Sequence, residues 1–367
     1  MAVTQHTAPS TAPGGPRVPL AVDGTLPPAL SGVFLQAVPH PARRGADLLC
    51  GVRFAGGAAH PYRAPGGAAP RPAVPARPAS AAPPVRDPAT GEWHTVVTHP
   101  GLDLAEHLIL GPDGTPRAAR PVDLHGAPLM PAAGLTGRFV VLFDLPLTHR
   151  PAAALLGDPL PYRWAAGRPA RVGLLPRHGE GRDPRWFPIA PCSLGEVVNA
   201  FDDGGRVVVE AVRHGRTAAG TPCGAPAVHR WTLDPRTGDV REQGGGPATA
   251  TAVIDPRLAG RRHQLVLGTA PGGGALIGHD RAAGTVQVRD LGPGRLAGRP
   301  VFVPRGPAEG DGWVVVMVHD AAERRAALLV LDAYRLAGRP EAVVHLPGPP
   351  PAAGLDTWTA WQAGAER

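Results

Sequence analysis

The chain has 367 residues, 43% hydrophobic and 18% charged, with 49 glycines and 47 prolines. That balance excludes a wholly disordered protein, although so much glycine and proline leaves room for stretches that do not pack. The net charge of +7 rests on 37 arginines and no lysine. The arginines are scattered, without a run of five or more, which reads as a coding bias toward arginine codons rather than a phosphate-binding surface; nucleic acid is excluded as a partner. Cys50, Cys192 and Cys223 are odd in number and form no CxxC pair, so they are expected to be small buried side chains in a reducing compartment.

Residues 1–17 form a polar, proline-rich tail expected to be disordered, and residues 18–367 are expected to form a single domain. The tail has no basic segment followed by an apolar one, and no apolar run approaches the ~20 residues of a membrane helix. A soluble, cytoplasmic protein without an integral membrane segment is expected. The segment 63–84, RAPGGAAPRPAVPARPASAAPP, holds six prolines between Pro70 and Pro84 and no alternating apolar run. Proline lacks the N–H that an interior strand needs, so a central strand is excluded there and the segment reads as a linker or a degenerate stretch.

Beyond it come short valine-rich runs between turn residues: Arg138–Leu145, Arg206–Val212, His263–Thr269, Gly284–Asp290, Gly312–His319 and Ala326–Asp332. Their length, β-branched content and Gly/Pro/Asp borders predict strands, and no long stretch shows a helical period. A turn element recurs at Asp87–Gly91 and Asp234–Gly238, with a looser copy at Asp280–Gly284. Aspartate and proline initiate such a turn and glycine closes it at positive φ. Repeated hairpins of this kind suggest a propeller, with a β-sandwich pair as the alternative.

Several stretches in order resemble the carotenoid cleavage oxygenase family. Leu26–Pro41 is similar to the family's entry motif, although its RNGPN core is here Gln36-Ala37-Val38-Pro39-His40. Ser80–Glu92 resembles "TAHPKxDPxTGE", Leu129–Leu147 resembles "MMHDFAITExYVVxxDLPL", and Arg185–His214 carries the PC…NA element. Ala250–His263 resembles "EFPRxDxRLxGRxH", Gly298–Asp320 resembles "GEPVFVPR…DDGW", and Leu328–Pro347 resembles "LxILDAxxL…LP". The resemblance implies an all-β, seven-bladed β-propeller with a loop cap, one blade being degraded around 63–84 in the alternative. It also implies an axial Fe(II) held by four histidines, and O2-dependent cleavage of a double bond in an apolar polyene such as a carotenoid or apocarotenoid.

Carried over residue by residue, the four ligand histidines fall on Pro83, Pro131, Glu196 and Leu355, and two glutamates that support the ligands fall on Ala250 and Arg299. Proline and leucine have no donor atom. The expectation is therefore that no residue serves as a catalytic, cofactor-binding or metal-binding residue, and that Fe(II) is not bound. His125 and Glu196 are the weak substitute candidates for an unorthodox metal site. His94, His99 and His107 lie in or near the same blades, and His94 and His99 are expected to face opposite sides of a strand. Cys192 has no histidine base nearby in the sequence and is not expected to act as a nucleophile. PGGGA at Pro271–Ala275 lacks the Lys-Ser/Thr of a phosphate loop. The favoured reading is a divergent oxygenase-like protein with impaired or lost catalysis. The alternatives are an active dioxygenase with non-standard ligands, a propeller that binds an apolar ligand or a protein, and a decaying gene.

Overall fold

A computed structural model describes residues 18–39, 47–63, 80–99, 102, 104–124, 127–158, 160–177, 183–347 and 359–363. The tail at 1–17 lies outside these residues, as do His125, Leu355 and most of the 63–84 segment. The regular structure of the described residues is almost entirely antiparallel strand, in six sheets of four to six strands plus one two-stranded ribbon. All six runs read as strands are strands, and each recurrent Asp turn closes a hairpin. Asp87, Asp234 and Asp280 accept backbone N–H bonds from the residues two or three ahead, which is how an aspartate fixes a tight turn.

The sheets follow one another as simple meanders. In chain order, the first joins Gly32–Pro39, Asp47–Ala55 and Ala58–Arg63. The second joins Trp93–Thr98, Leu104–Leu110 and Pro116–Asp123, with Ser80–Ala81 and Val85–Arg86 on its inner edge. The third runs Gly134–Leu135, Phe139–Asp144, Ala170–Pro176 and Arg185–Ile189. It carries the ribbon of Leu147–His149 and Tyr162–Trp164 as an insertion. The fourth runs Cys192–Asp203, Arg206–Gly215, Ala227–Leu233 and Val240–Gln243. The fifth runs Thr251–Val253, Leu265–Thr269, Ala275–Asp280 and Thr285–Asp290. The sixth places Arg295–Ala297 and Val301–Pro304 against Gly312–Asp320, followed by Arg325–Asp332 and Ala342–Leu346.

Both chain ends close the arrangement. Thr359–Ala363 adds the inner strand of the first sheet, and Val22–Gly24 adds the outer strand of the sixth. Such exchange of terminal strands holds a ring of sheets shut without a covalent link.

Alternation packs one sheet on the next. In Phe139–Asp144, Val141 and Phe143 join the core shared with the fourth sheet, while Val140 and Leu142 face the second. Gly312–Asp320 divides in the same way: Val314, Val316 and Val318 face the fifth sheet, and Trp313, Val315 and Met317 face the first. A period of two in a strand buried on both faces produces this split. Buried clusters thus join the second sheet to the third, third to fourth, fourth to fifth, fifth to sixth and sixth to first. Among the described residues no cluster joins the first sheet to the second.

Two expectations need correction. The end of the 63–84 segment is part of the fold: Ser80–Ala81 pairs with Val97 and Thr98. The strand is tolerated because it lies on the sheet's inner edge and breaks at Pro83 and Pro84, where no N–H is needed. Cys192 is buried as expected, but Cys223 is exposed. It sits in the loop after Arg206–Gly215, where no second sheet covers it.

Candidate functional site

The second to fifth sheets present their first strands to the ring's interior, and the first sheet presents Thr359–Ala363. Gly134–Leu135 touches Cys192–Asp203, and the latter touches Thr251–Val253. Of the four positions onto which the resemblance carries the ligand histidines, Pro83, Pro131 and Glu196 are described and lie on or beside the inner strands of the second, third and fourth sheets. A cavity of about 210 Å³ opens one or two residues farther along each of them, at Val85, Ala133 and Val197.

Glu196 is occupied. One carboxylate oxygen accepts the Ala252 N–H at 2.6 Å, and the other accepts Arg299 Nε–H at 2.8 Å. The side chains are 23% and 32% exposed. Glu196 of the fourth sheet, the Ala252 N–H of the fifth and Arg299 at the approach to the sixth thus meet across three consecutive sheets. Pro83 and Pro131 bring no donor atom. Among the described residues no group of three or more His, Cys, Asp or Glu side chains is arranged to hold a metal ion.

The structure explains what the neighbouring motif residues do. Asn199, the chain's one asparagine, is a socket for the turn at 256–263. Its Oδ1 accepts the N–H of Ala200 and Gly260, while Nδ2 faces Leu258 O, Arg261 O and His263 Nδ1 at 3.2, 2.8 and 3.0 Å. This joins two motifs some sixty residues apart, and each buried polar atom of the asparagine is satisfied.

Behind it, Glu210 is fully buried and receives Arg230 at 2.5 Å and Arg281. His263 Nε2 lies 2.9 Å from its second oxygen, off-line for a hydrogen bond. Burial alone would push this carboxyl up, but His263, Arg281 and Arg230 together hold it down at about 2. The cluster knits the fourth sheet to the fifth and offers no open position to a substrate.

His94 and His107 are both buried and stack at 5.2 Å, with Nδ1 of the first 3.0 Å from Nε2 of the second. They occupy strand interiors rather than loops. Burial first, then the charges of His94, Arg120 and Arg177, pushes His107 down to about 3, so its ring is neutral. His99 falls just past its strand and pairs with Glu106 at 2.7 Å. Burial raises the Cys192 thiol to about 11, which leaves no thiolate to attack with. In the Glu309–Trp313 motif, Glu309 accepts two N–H bonds from Gln264 and Leu265, Asp311 pairs with Arg305, and Trp313 donates to Glu341. These are packing and turn functions.

No helix of the described residues is long and apolar enough to cross a membrane. The sequence profile of the family described as "Retinal pigment epithelial membrane protein" (RPE65) matches residues 60–354. A carotenoid cleavage oxygenase of Mycobacterium tuberculosis is 31% identical over 72% of this chain and 65% of its own length. A carotenoid 9,10(9',10')-cleavage dioxygenase of Pisum sativum is 27% identical over 71% and 54%. The chain thus spans a little under two thirds, or about half, of these relatives. Among solved structures, a lignostilbene dioxygenase of Pseudomonas brassicacearum superposes with a TM-score of 0.80 at 21% identity over 95% of each chain. A Synechocystis apocarotenoid oxygenase variant gives 0.76 at 18% over 96% and 97%. The ring of sheets is therefore the β-propeller of those enzymes, and the chain belongs to the RPE65/carotenoid cleavage oxygenase family.

Proposed function

We infer that this chain is a divergent carotenoid-oxygenase propeller in which an ion pair has taken the place of the Fe(II) centre. The reading makes it a scaffold for an apolar polyene rather than a catalyst of its cleavage. The observation that carries it is the state of Glu196, whose two oxygens are spent on Arg299 and the Ala252 N–H. A carboxylate neutralised by a guanidinium has little left to offer a dication, and the guanidinium adds a positive charge beside the place the metal would need. Pro83 and Pro131 offer no ligand atom, so the residues present do not fit four-histidine Fe(II), and no step of a reaction is assigned to the metal. Leu355 and His125 lie outside the described residues.

Family membership supports an apolar polyene as the ligand class: the named relatives act on carotenoids. The five buried seams support a folded binding scaffold over a decayed gene. The test is the iron content of protein purified without a histidine tag and reconstituted anaerobically with Fe(II). Far less than one equivalent is expected from a cooperatively folded sample. Near-stoichiometric iron would overturn the reading in favour of an active dioxygenase, with His125 and Glu196 as the first ligands to mutate.

A further inference from the structure

Strand alternation gives the propeller two unlike ends. The ribbon at 147–164 and the long loop at 216–226 stand at one end, tied together by Trp164 Nε1–H donating to Ala218 O. The cavity of about 210 Å³ lies against the turns after Val85–Arg86 and Gly134–Leu135 and the longer connection from Val253 to Leu265. Its apolar wall comes from Ala133, Leu135, Val197 and Ala200. Three guanidiniums, Arg86, Arg177 and Arg261, line it against one carboxylate, Asp87.

Most of the polar groups in this lining are already spent. Asp87 is taken by Arg177 and the Ala89 N–H. Thr136 Oγ1 accepts the N–H of Arg138 and Phe139, and Asn199 is committed to the turn that follows. What is left is cationic. Arg86 and Arg261 are exposed, and neither guanidinium has a hydrogen-bond or ion-pair partner among the described residues. The Nε of Arg177 is buried and likewise unpartnered. A desolvated N–H without an acceptor is costly, and an arginine fork matches a planar carboxylate with two parallel bonds.

We propose that this cavity is a binding site for a small apolar carboxylate, whose hydrocarbon body rests on the Ala133–Leu135 and Val197–Ala200 walls and whose anionic end meets Arg86 and Arg261. The volume is below the ~300–1,000 Å³ of sites for drug-sized ligands, which sets the body at about one ring. The site is separate from the Glu196–Arg299 pair, and its outcome does not depend on whether iron binds.

The test titrates the full chain with benzoate, using benzyl alcohol as the neutral analogue and inorganic phosphate as the anion without a hydrocarbon body. Saturable benzoate binding is expected, with both controls about ten-fold weaker or worse. Arg86→Gln and Arg261→Gln, both at exposed positions, are expected to keep the wild-type thermal midpoint. Each should weaken benzoate about ten-fold while leaving benzyl alcohol unchanged. Benzoate that fails to bind saturably, binds no better than benzyl alcohol or phosphate, or binds the double variant as well as wild type overturns the proposal.

Discussion

Removing either member of the Glu196–Arg299 pair tests whether it staples the interior. The pair is partly exposed, with side chains at 23% and 32%, so it stands between the ~0–1 kcal/mol of surface pairs and the ~3–5 kcal/mol lost on breaking a buried one. A coupling of about 1 kcal/mol between Glu196→Ala and Arg299→Ala in a double-mutant cycle is expected. The single variants should be unequal. Arg299→Ala removes the charge partner of Glu196, at a cost of about 1 kcal/mol. Glu196→Ala also strips the acceptor from the N–H of Ala252, a residue only 1% exposed, which adds ~1–3 kcal/mol for an unsatisfied buried donor. Glu196→Gln keeps an acceptor oxygen for that N–H and should resemble Arg299→Ala. Urea unfolding followed by tryptophan fluorescence at neutral pH measures all four. Equal midpoints for Glu196→Ala and Arg299→Ala, with coupling below ~0.3 kcal/mol, would show that the contacts carry no load and would refute the reasoning.

Asn199→Ala should destabilise by ~2–4 kcal/mol, and hydrogen exchange at the Ala200 and Gly260 amides should accelerate far more than in the other sheets. Unchanged protection at those two amides would contradict the socket role. Acid should act in two windows. The His107 ring is held at about 3, below its ordinary 6.5. The unfolded chain therefore takes up the proton first, and this contribution is intact above pH 6.5 and lost progressively toward pH 3, by up to ~1.4 kcal/mol per pH unit. Glu210 is held at about 2 against 4.5, so its contribution is present above pH 4.5 and lost as pH falls toward 2. A His94→Leu/His107→Leu double variant should flatten the stability profile between pH 6.5 and 4.5 and make it shallower from 4.5 to 3, where the Glu210 contribution then stands alone. A profile that keeps its slope there would exclude the histidine pair as its source.

Local rules in the chain were enough to foresee the strands and the Asp-initiated hairpins, while the choice of a propeller over a β-sandwich came from the family resemblance. A valine-rich run bordered by Gly, Pro or Asp is decided by neighbours within a few residues, and the family motifs occur in order along the chain. The absence of donors at Pro83 and Pro131 also belonged to the residues themselves. The burial of His94 and His107 in strand interiors could not be read this way, because a short strand with both faces covered carries no polar side to mark it. Nor could the exposure of Cys223, which depends on which sheet covers a loop. Glu196 and Arg299 are 103 positions apart, and only the ring's closure brings the fourth sheet against the approach to the sixth. Asn199 was legible as a marker of register, whereas four of its five partners come from a turn some sixty residues away. Contacts of this range are set by which sheet packs on which, a property of the whole ring that no local pattern encodes.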